Sequence, residues 1–150
     1  MNDTLGKITI FILDDDRYYG LFLKNTLRND NYDIHYFQHE QECIQKLNTI
    51  PEILILDHKL EFSTGLEVLD EVNRQCNGKT KVIYLSGQEH VHVALQALKA
   101  GAVTYVEKTG EAIEVLNTAL DHLVNLTNNF KNKLDLDVFR KRVLKSNQVF

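Results

Sequence analysis

Apolar residues along this chain fall into two rhythms. Short runs at Ile8 to Leu13, Ile34 to Phe37, Ile53 to Leu56, Val82 to Leu85 and Val103 to Val106 are bounded by polar or turn-forming residues, as strands are. Between them apolar positions recur three and four apart, at Tyr19, Phe22, Leu23 and Leu27, at Leu66, Leu69 and Val72, and at Val91, Leu95 and Leu98. That spacing winds one apolar stripe onto a helix. The punctuation agrees: Asp16 can cap the first helix, Asn77-Gly78 follows the third, and Gly101 follows the fourth, where a left-handed residue commonly ends a helix.

Strict alternation of strand and crossover helix predicts an α/β fold, a doubly wound parallel sheet of five strands with helices on both faces. The flavodoxin-like order 2-1-3-4-5 is the expected one. The runs at Ile53 and Val82 are continuously apolar, as central strands buried on both faces must be. Residues 111 to about 130 predict a long last helix with Ile113, Leu116, Leu120, Leu123 and Leu126 on one stripe. Beyond Lys131 the apolar residues are scattered, and a short separate helix is expected from about Asp137 to Lys145. The reading is therefore one domain over residues 1–128 and an extension over 129–150, since 150 residues leave little room for a conventional effector domain.

Composition narrows the function. At 43% hydrophobic and 25% charged residues the chain reads as an ordinary globular protein, and its net charge of -4 argues against direct nucleic-acid binding, which needs clustered Lys and Arg. No apolar run is long enough to span a bilayer, and the start of the chain lacks the pattern of an export signal. Cys43 and Cys76 have no metal-ligand spacing and sit in helical segments, so reduced, buried thiols and a cytoplasmic location are expected. His90 and His92, two apart, would point in different directions on a helix, and His35, His39, His58 and His122 are scattered, so no zinc site is expected.

In such a sheet ligands collect at the carboxyl ends of the strands. There the chain places Asp14, Asp15 and Asp16 after the first strand, Asp57 after the third, Ser86 after the fourth and Lys108 after the fifth. Neighbouring strands lie about 5 Å apart, so Asp14 and Asp15 should stand beside Asp57. Two unit charges about 4 Å apart repel by roughly 1 to 4 kcal/mol between bulk water and a protein surface, and a cation is needed to keep the cluster ionised. Mg²⁺ suits it, because it takes hard oxygen ligands, uses few carboxylates and leaves positions for a phosphoryl oxygen. Lys108, about 10 Å away by strand spacing, can reach in to add positive charge, with Ser86 between. Beside such cations Asp57 becomes a nucleophile toward phosphorus. Each element alone has an ordinary reading, a capped turn, a loop serine, a surface lysine; their joint placement is what points to chemistry.

At these residues the chain resembles the receiver domains of two-component response regulators. The likeness covers about residues 7 to 126. It runs through Ile10 to Asp15, Ile53 to Asp57, Gly65-Leu66-Glu67-Val68-Leu69, Tyr84-Leu85-Ser86-Gly87, Ala100-Gly101-Ala102 and Tyr105-Val106-Glu107-Lys108, with 29 residues from Asp57 to Ser86 and 22 from there to Lys108. The resemblance implies a Mg²⁺-dependent phosphoryl transfer onto Asp57 from a phosphohistidine on a sensor histidine kinase or phosphotransfer protein. Asp15 would ligate the ion directly, Asp14 largely through water, and Lys59 through its backbone carbonyl. Ser86 would then move onto the phosphoryl group and Tyr105 swing inward, changing how a downstream target protein binds the face built from the fourth helix, fifth strand and last helix. Lys59 and Gln88 occupy the two variable positions that tune dephosphorylation in this family. Such a chain is a switch rather than an enzyme, acting only on its own phosphoryl group.

Two departures from the family pattern stand out: Glu61 and Thr109 occupy positions where proline is usual. Competing readings are a pseudo-receiver that binds without phosphorylation, and a metal-dependent phosphatase or nucleotide-binding protein of similar fold. The intact acidic pair, Asp57, Ser86 and Lys108 argue against the first. Lys59 standing where a phosphatase would carry a second aspartate, and the lack of a Gly-rich loop after the first strand, argue against the second. The segment after Lys131 reads as a solvated extension, with docking or homodimerisation as its alternative.

Overall fold

Runs of Ile, Leu and Val bounded by turns form the predicted strands. A computed structural model of the protein describes residues 6–87 and 91–146, with side chains described as far as Asn129. The order is β1 (Ile8–Leu13), α1 (Arg17–Thr26), β2 (Tyr32–Phe37), α2 (Glu40–Lys46), β3 (Ile53–Asp57), α3 (Gly65–Cys76), β4 (Lys81–Ser86), α4 (Val91–Lys99), β5 (Thr104–Glu107) and α5 (Ala112–Ser146), with a short 3-10 turn at Leu47–Thr49. All strand pairs are parallel, and the sheet order is β2-β1-β3-β4-β5. This is the doubly wound fold that the alternation implies.

Successive strand residues point to opposite faces. Phe11 and Leu13, Leu54 and Leu56, Val82 and Tyr84 share one face, where Cys43 of α2, Val68, Leu69, Val72 and Cys76 of α3 and Ala97 of α4 pack on them. Ile10, Ile12, Ile55 and Ile83 occupy the other face and are fully buried. There α1 approaches so closely that a Cβ on Gly20 would fall 2.1 Å from the ring of Tyr36, which is in register with Ile12. β3 is buried at every position, as its unbroken apolar run requires. Both cysteines are free and buried.

Caps fix the ends. The Asp16 carboxylate accepts the backbone N–H groups of Tyr18 and Tyr19, satisfying two donors at the start of α1. Asn77 at the end of α3 is left-handed, at φ 49°, followed by Gly78 at 77°, and Gly101 after α4 sits at 107°.

One expectation is corrected. The last helix does not stop near residue 130 with a separate short helix from Asp137; α5 continues without interruption to Ser146. The segment Thr127 to Leu136 contains neither Pro nor Gly, so a lapse in the apolar stripe has no backbone breaker to turn it into a helix end. The chain divides into two units, residues 1–117 and 118–150. The first holds the whole sheet and the opening turns of α5, with Ala112 and Leu116 buried; the described residues of the second continue that helix to Ser146. Among the described residues no helix is long and apolar enough to cross a membrane.

Candidate functional site

Register builds the site. Leu13 pairs with Leu56, so one residue further along the parallel strands Asp14 stands beside Asp57. Across the sheet Ser86 pairs with Glu107, and the next residue, Lys108, leaves the sheet with its N–H bonded to the Ser86 carbonyl at 2.9 Å. Four residues from the ends of four strands thereby reach one rim.

The side chains converge as well. Lys108 Nζ lies 2.8 Å from Asp14 Oδ2 and 3.1 Å from Asp57 Oδ1. Asp14 is held by both oxygens, because Oδ1 accepts the Asp16 N–H at 2.9 Å. Carboxylate oxygens of Asp14, Asp15 and Asp57 all lie within 4.8 Å of one another. Asp14 and Asp57 are buried, at 1% and 4% exposure, and Asp15 is half-buried.

Three acids and one lysine leave the pocket short of positive charge. Burial, and after it the charge of Asp14, pushes the Asp57 carboxyl up to about 7, against the pull of Lys108. Asp14 is also raised, burial outweighing its hydrogen bond with Lys108. Burial by itself would lower the Lys108 pKa, but Asp14 and Asp57 together raise it, so the ammonium keeps its proton. A divalent cation fits this imbalance. Magnesium holds oxygens at about 2.1 Å, which puts opposite ligands about 4.2 Å apart, close to the span of the three aspartates.

The other expected residues take separate places. Ser86 is buried at the end of β4. Tyr105 is half-buried, its ring stacked on Tyr84 at 6.4 Å between centroids. The Lys59 side chain is exposed, while its backbone forms a bridge with Thr64 across the loop after β3. Gln88 and His90 lie outside the described residues.

Several supporting residues carry no sequence signal that singles them out. The Tyr19 ring lies 4.5 Å from Lys108 Nζ, face to cation. The Tyr36 hydroxyl donates to the Asp14 carbonyl at 2.8 Å. Glu40, buried at the start of α2, accepts the Phe62 N–H and the Ser63 hydroxyl, both at 3.0 Å, and so ties α2 to the loop after the acceptor strand. A carboxylate at a helix start reads from sequence as an ordinary first-turn acid, and only the fold reveals what it holds.

Comparison with known proteins identifies the family and the fold. The model of the response regulator receiver domain matches residues 10–120. Nodulation protein W of Bradyrhizobium diazoefficiens is 26% identical over 117 residues, covering 76% of this chain and 50% of that protein. Acid tolerance regulatory protein ActR of Rhizobium meliloti is 27% identical over 109 residues, covering 72% and 56%. The chain thus spans about half the length of the curated relatives it matches. Among solved structures, a CheY-like response regulator receiver domain protein from Methanospirillum hungatei superposes with a TM-score of 0.73 at 22% identity, over 83% of this chain and 99% of that one. The receiver domain of the Francisella response regulator 1452 does so with a TM-score of 0.71 at 23% identity, over 81% and 99%. At these identities the superpositions establish the fold.

Proposed function

This chain belongs to the response regulator receiver domain family of two-component signalling, and we propose that Asp57 is its phosphoacceptor, working in a Mg²⁺-dependent transfer from a phosphohistidine. The observation that carries the reading is that Lys108 Nζ lies within 3.1 Å of both Asp14 and Asp57 at the carboxyl end of the sheet.

Asp57 attacks phosphorus through a carboxylate oxygen, the bond from phosphorus to the donor imidazole nitrogen breaks, and the electron pair leaves with the imidazole. Lys108 sits beside the attacking carboxylate, where its charge stabilises the oxygens of the transferring group. Asp14 holds Lys108 in place, and is itself held by the Asp16 N–H. Asp15, Asp57, Asp14 through water and the Lys59 carbonyl are the ligands proposed for Mg²⁺. Bound there, the ion would keep Asp57 ionised and neutralise phosphoryl charge. Ser86 then turns its hydroxyl to the phosphoryl group and Tyr105 moves inward. Lys59 and Gln88 tune how fast water removes the phosphoryl group.

The readout is proposed to be a protein. Val91, Leu95 and Leu98 of α4, Val103 before β5 and Val115 in α5 are exposed, and this apolar surface supports a docking face for a downstream target or a second copy of the chain. A histidine kinase or phosphotransfer protein is the proposed donor, and the cytoplasm the proposed location.

Phosphoramidate, whose P–N bond is that of phosphohistidine, tests the chemistry. With Mg²⁺ the protein is expected to gain one phosphoryl group that hydroxylamine removes, as it removes acyl phosphates. A gain that persists in chelator, or that resists hydroxylamine, would overturn the reading.

A further inference from the structure

The loop from Asp57 to Gly65 carries the proposed acceptor at one end and begins α3 at the other. Tyr84, on the neighbouring strand β4, touches both ends with one oxygen. The phenol is fully buried, and burial raises its pKa first, with the charge of Asp57 adding to it, so the hydroxyl stays neutral. That oxygen accepts the Leu66 N–H and lies 2.5 Å from His58 Nδ1. The bond joins the phenol oxygen to the imidazole nitrogen, the imidazole tautomer setting which of the two donates.

The surroundings are shaped to this oxygen. A Cβ on Gly65 would fall 2.8 Å from the Tyr84 hydroxyl and 2.4 Å from the Asp57 carbonyl, so the close approach of strand, phenol and helix start needs glycine there. The Gly65 N–H closes the loop onto the His58 carbonyl at 2.7 Å. On its other side the Tyr84 ring stacks on Tyr105 with an interplanar angle of 21°. One side chain therefore joins the residue after Asp57, the first turn of α3 and the aromatic residue of β5.

We propose that Tyr84 is a positioning residue for phosphoryl transfer, its hydroxyl clamping His58 and Leu66 so that the Asp57 carboxylate and the Lys59 carbonyl are held in place for the ion. The proposal rests on the acceptor role assigned to Asp57. Loss of such an outer hydrogen bond typically weakens metal affinity by about 10- to 100-fold.

Tyr84→Phe removes the oxygen and keeps the ring. In the metal-free protein, amide hydrogen exchange at Gly65 and Leu66 is expected to rise about tenfold relative to amides in β1, the equivalent of about 1.4 kcal/mol. The Mg²⁺ dissociation constant should rise by about tenfold, and the phosphoramidate rate at saturating Mg²⁺ should fall severalfold. His58→Leu cuts the same link from the half-exposed partner, and keeps the test decisive if Tyr84→Phe fails to fold. The double variant should lose little more Mg²⁺ affinity than either single one. Unchanged exchange and unchanged Mg²⁺ affinity in both variants, or strictly additive losses, would overturn the proposal. A wild type that binds Mg²⁺ and gains no phosphoryl group would instead count against the acceptor role, while the exchange data would still judge the clamp.

Discussion

Lys108 Nζ lies 3.1 Å from Asp57 Oδ1, although 51 positions separate the two residues in the chain. Strand order achieves this: β4 stands between their strands, and the lysine reaches across its end. The contact places an ammonium where charge would develop on a transferring phosphoryl group. Lys108→Met keeps most of the stem and removes the charge. Its rate of phosphorylation by phosphoramidate, at saturating Mg²⁺, is expected to fall by about 100-fold or more; a rate within severalfold of wild type would deny the lysine that role.

Proton linkage gives a test that needs no phosphodonor. Asp57 is raised from its ordinary 3.8 to about 7 in the metal-free protein, by burial first and the neighbouring Asp14 second. Below about pH 4 the group is protonated whether the chain is folded or not. Above that, the unfolded chain ionises while the folded one holds its proton, so unfolding releases a proton and stability falls as pH rises toward 7. The contribution is on the order of 1 kcal/mol per pH unit. Denaturant titrations of metal-free protein between pH 4 and 7 should show this decline in wild type and a shallower one in Asp57→Asn. Identical slopes would contradict the raised pKa.

Magnesium should act against that decline. Ion and proton compete for the same carboxylates, so Mg²⁺ affinity, measured by calorimetry, is expected to fall as pH drops below 7. Added Mg²⁺ should raise the melting temperature more at pH 8 than at pH 5. Equal stabilisation at both values would mean that the ion binds elsewhere.

Close packing around α1 gives a purely structural test. Gly20 leaves room for the ring of Tyr36, whose hydroxyl in turn holds the Asp14 carbonyl. Gly20→Ala puts a methyl group into that ring. Overpacking of this kind costs about 1 to 3 kcal/mol, outweighing the gain from replacing a helical glycine. Chemical denaturation showing Gly20→Ala as stable as wild type would mean that α1 shifts freely on the sheet.

Most of the fold is legible in the sequence because hydrophobic period reports burial directly. β1 follows its apolar run residue for residue, and β3 extends it by one, to Asp57. β2 begins at Tyr32, two positions before its apolar run, because an edge strand alternates polar and apolar residues and its start carries little signal. The acidic cluster and the lysine are legible because strand ends in a doubly wound sheet share a rim. The unbroken α5 is not, since an apolar stripe tells what packs and says less about where a helix lacking Pro and Gly will stop. Tyr84, His58 and Glu40 are equally silent: their hydrogen bonds join residues 22 to 26 apart in the chain, and each residue alone reads as ordinary for its element.

The central claim is that Asp57 receives the phosphoryl group. Intact-mass measurement after incubation with phosphoramidate and Mg²⁺, run side by side on wild type and Asp57→Asn, tests it most directly. The expected result is a gain of one phosphoryl group by wild type and none by Asp57→Asn, with both proteins folded. Equal gain by the two proteins, or none by folded wild type, would contradict it.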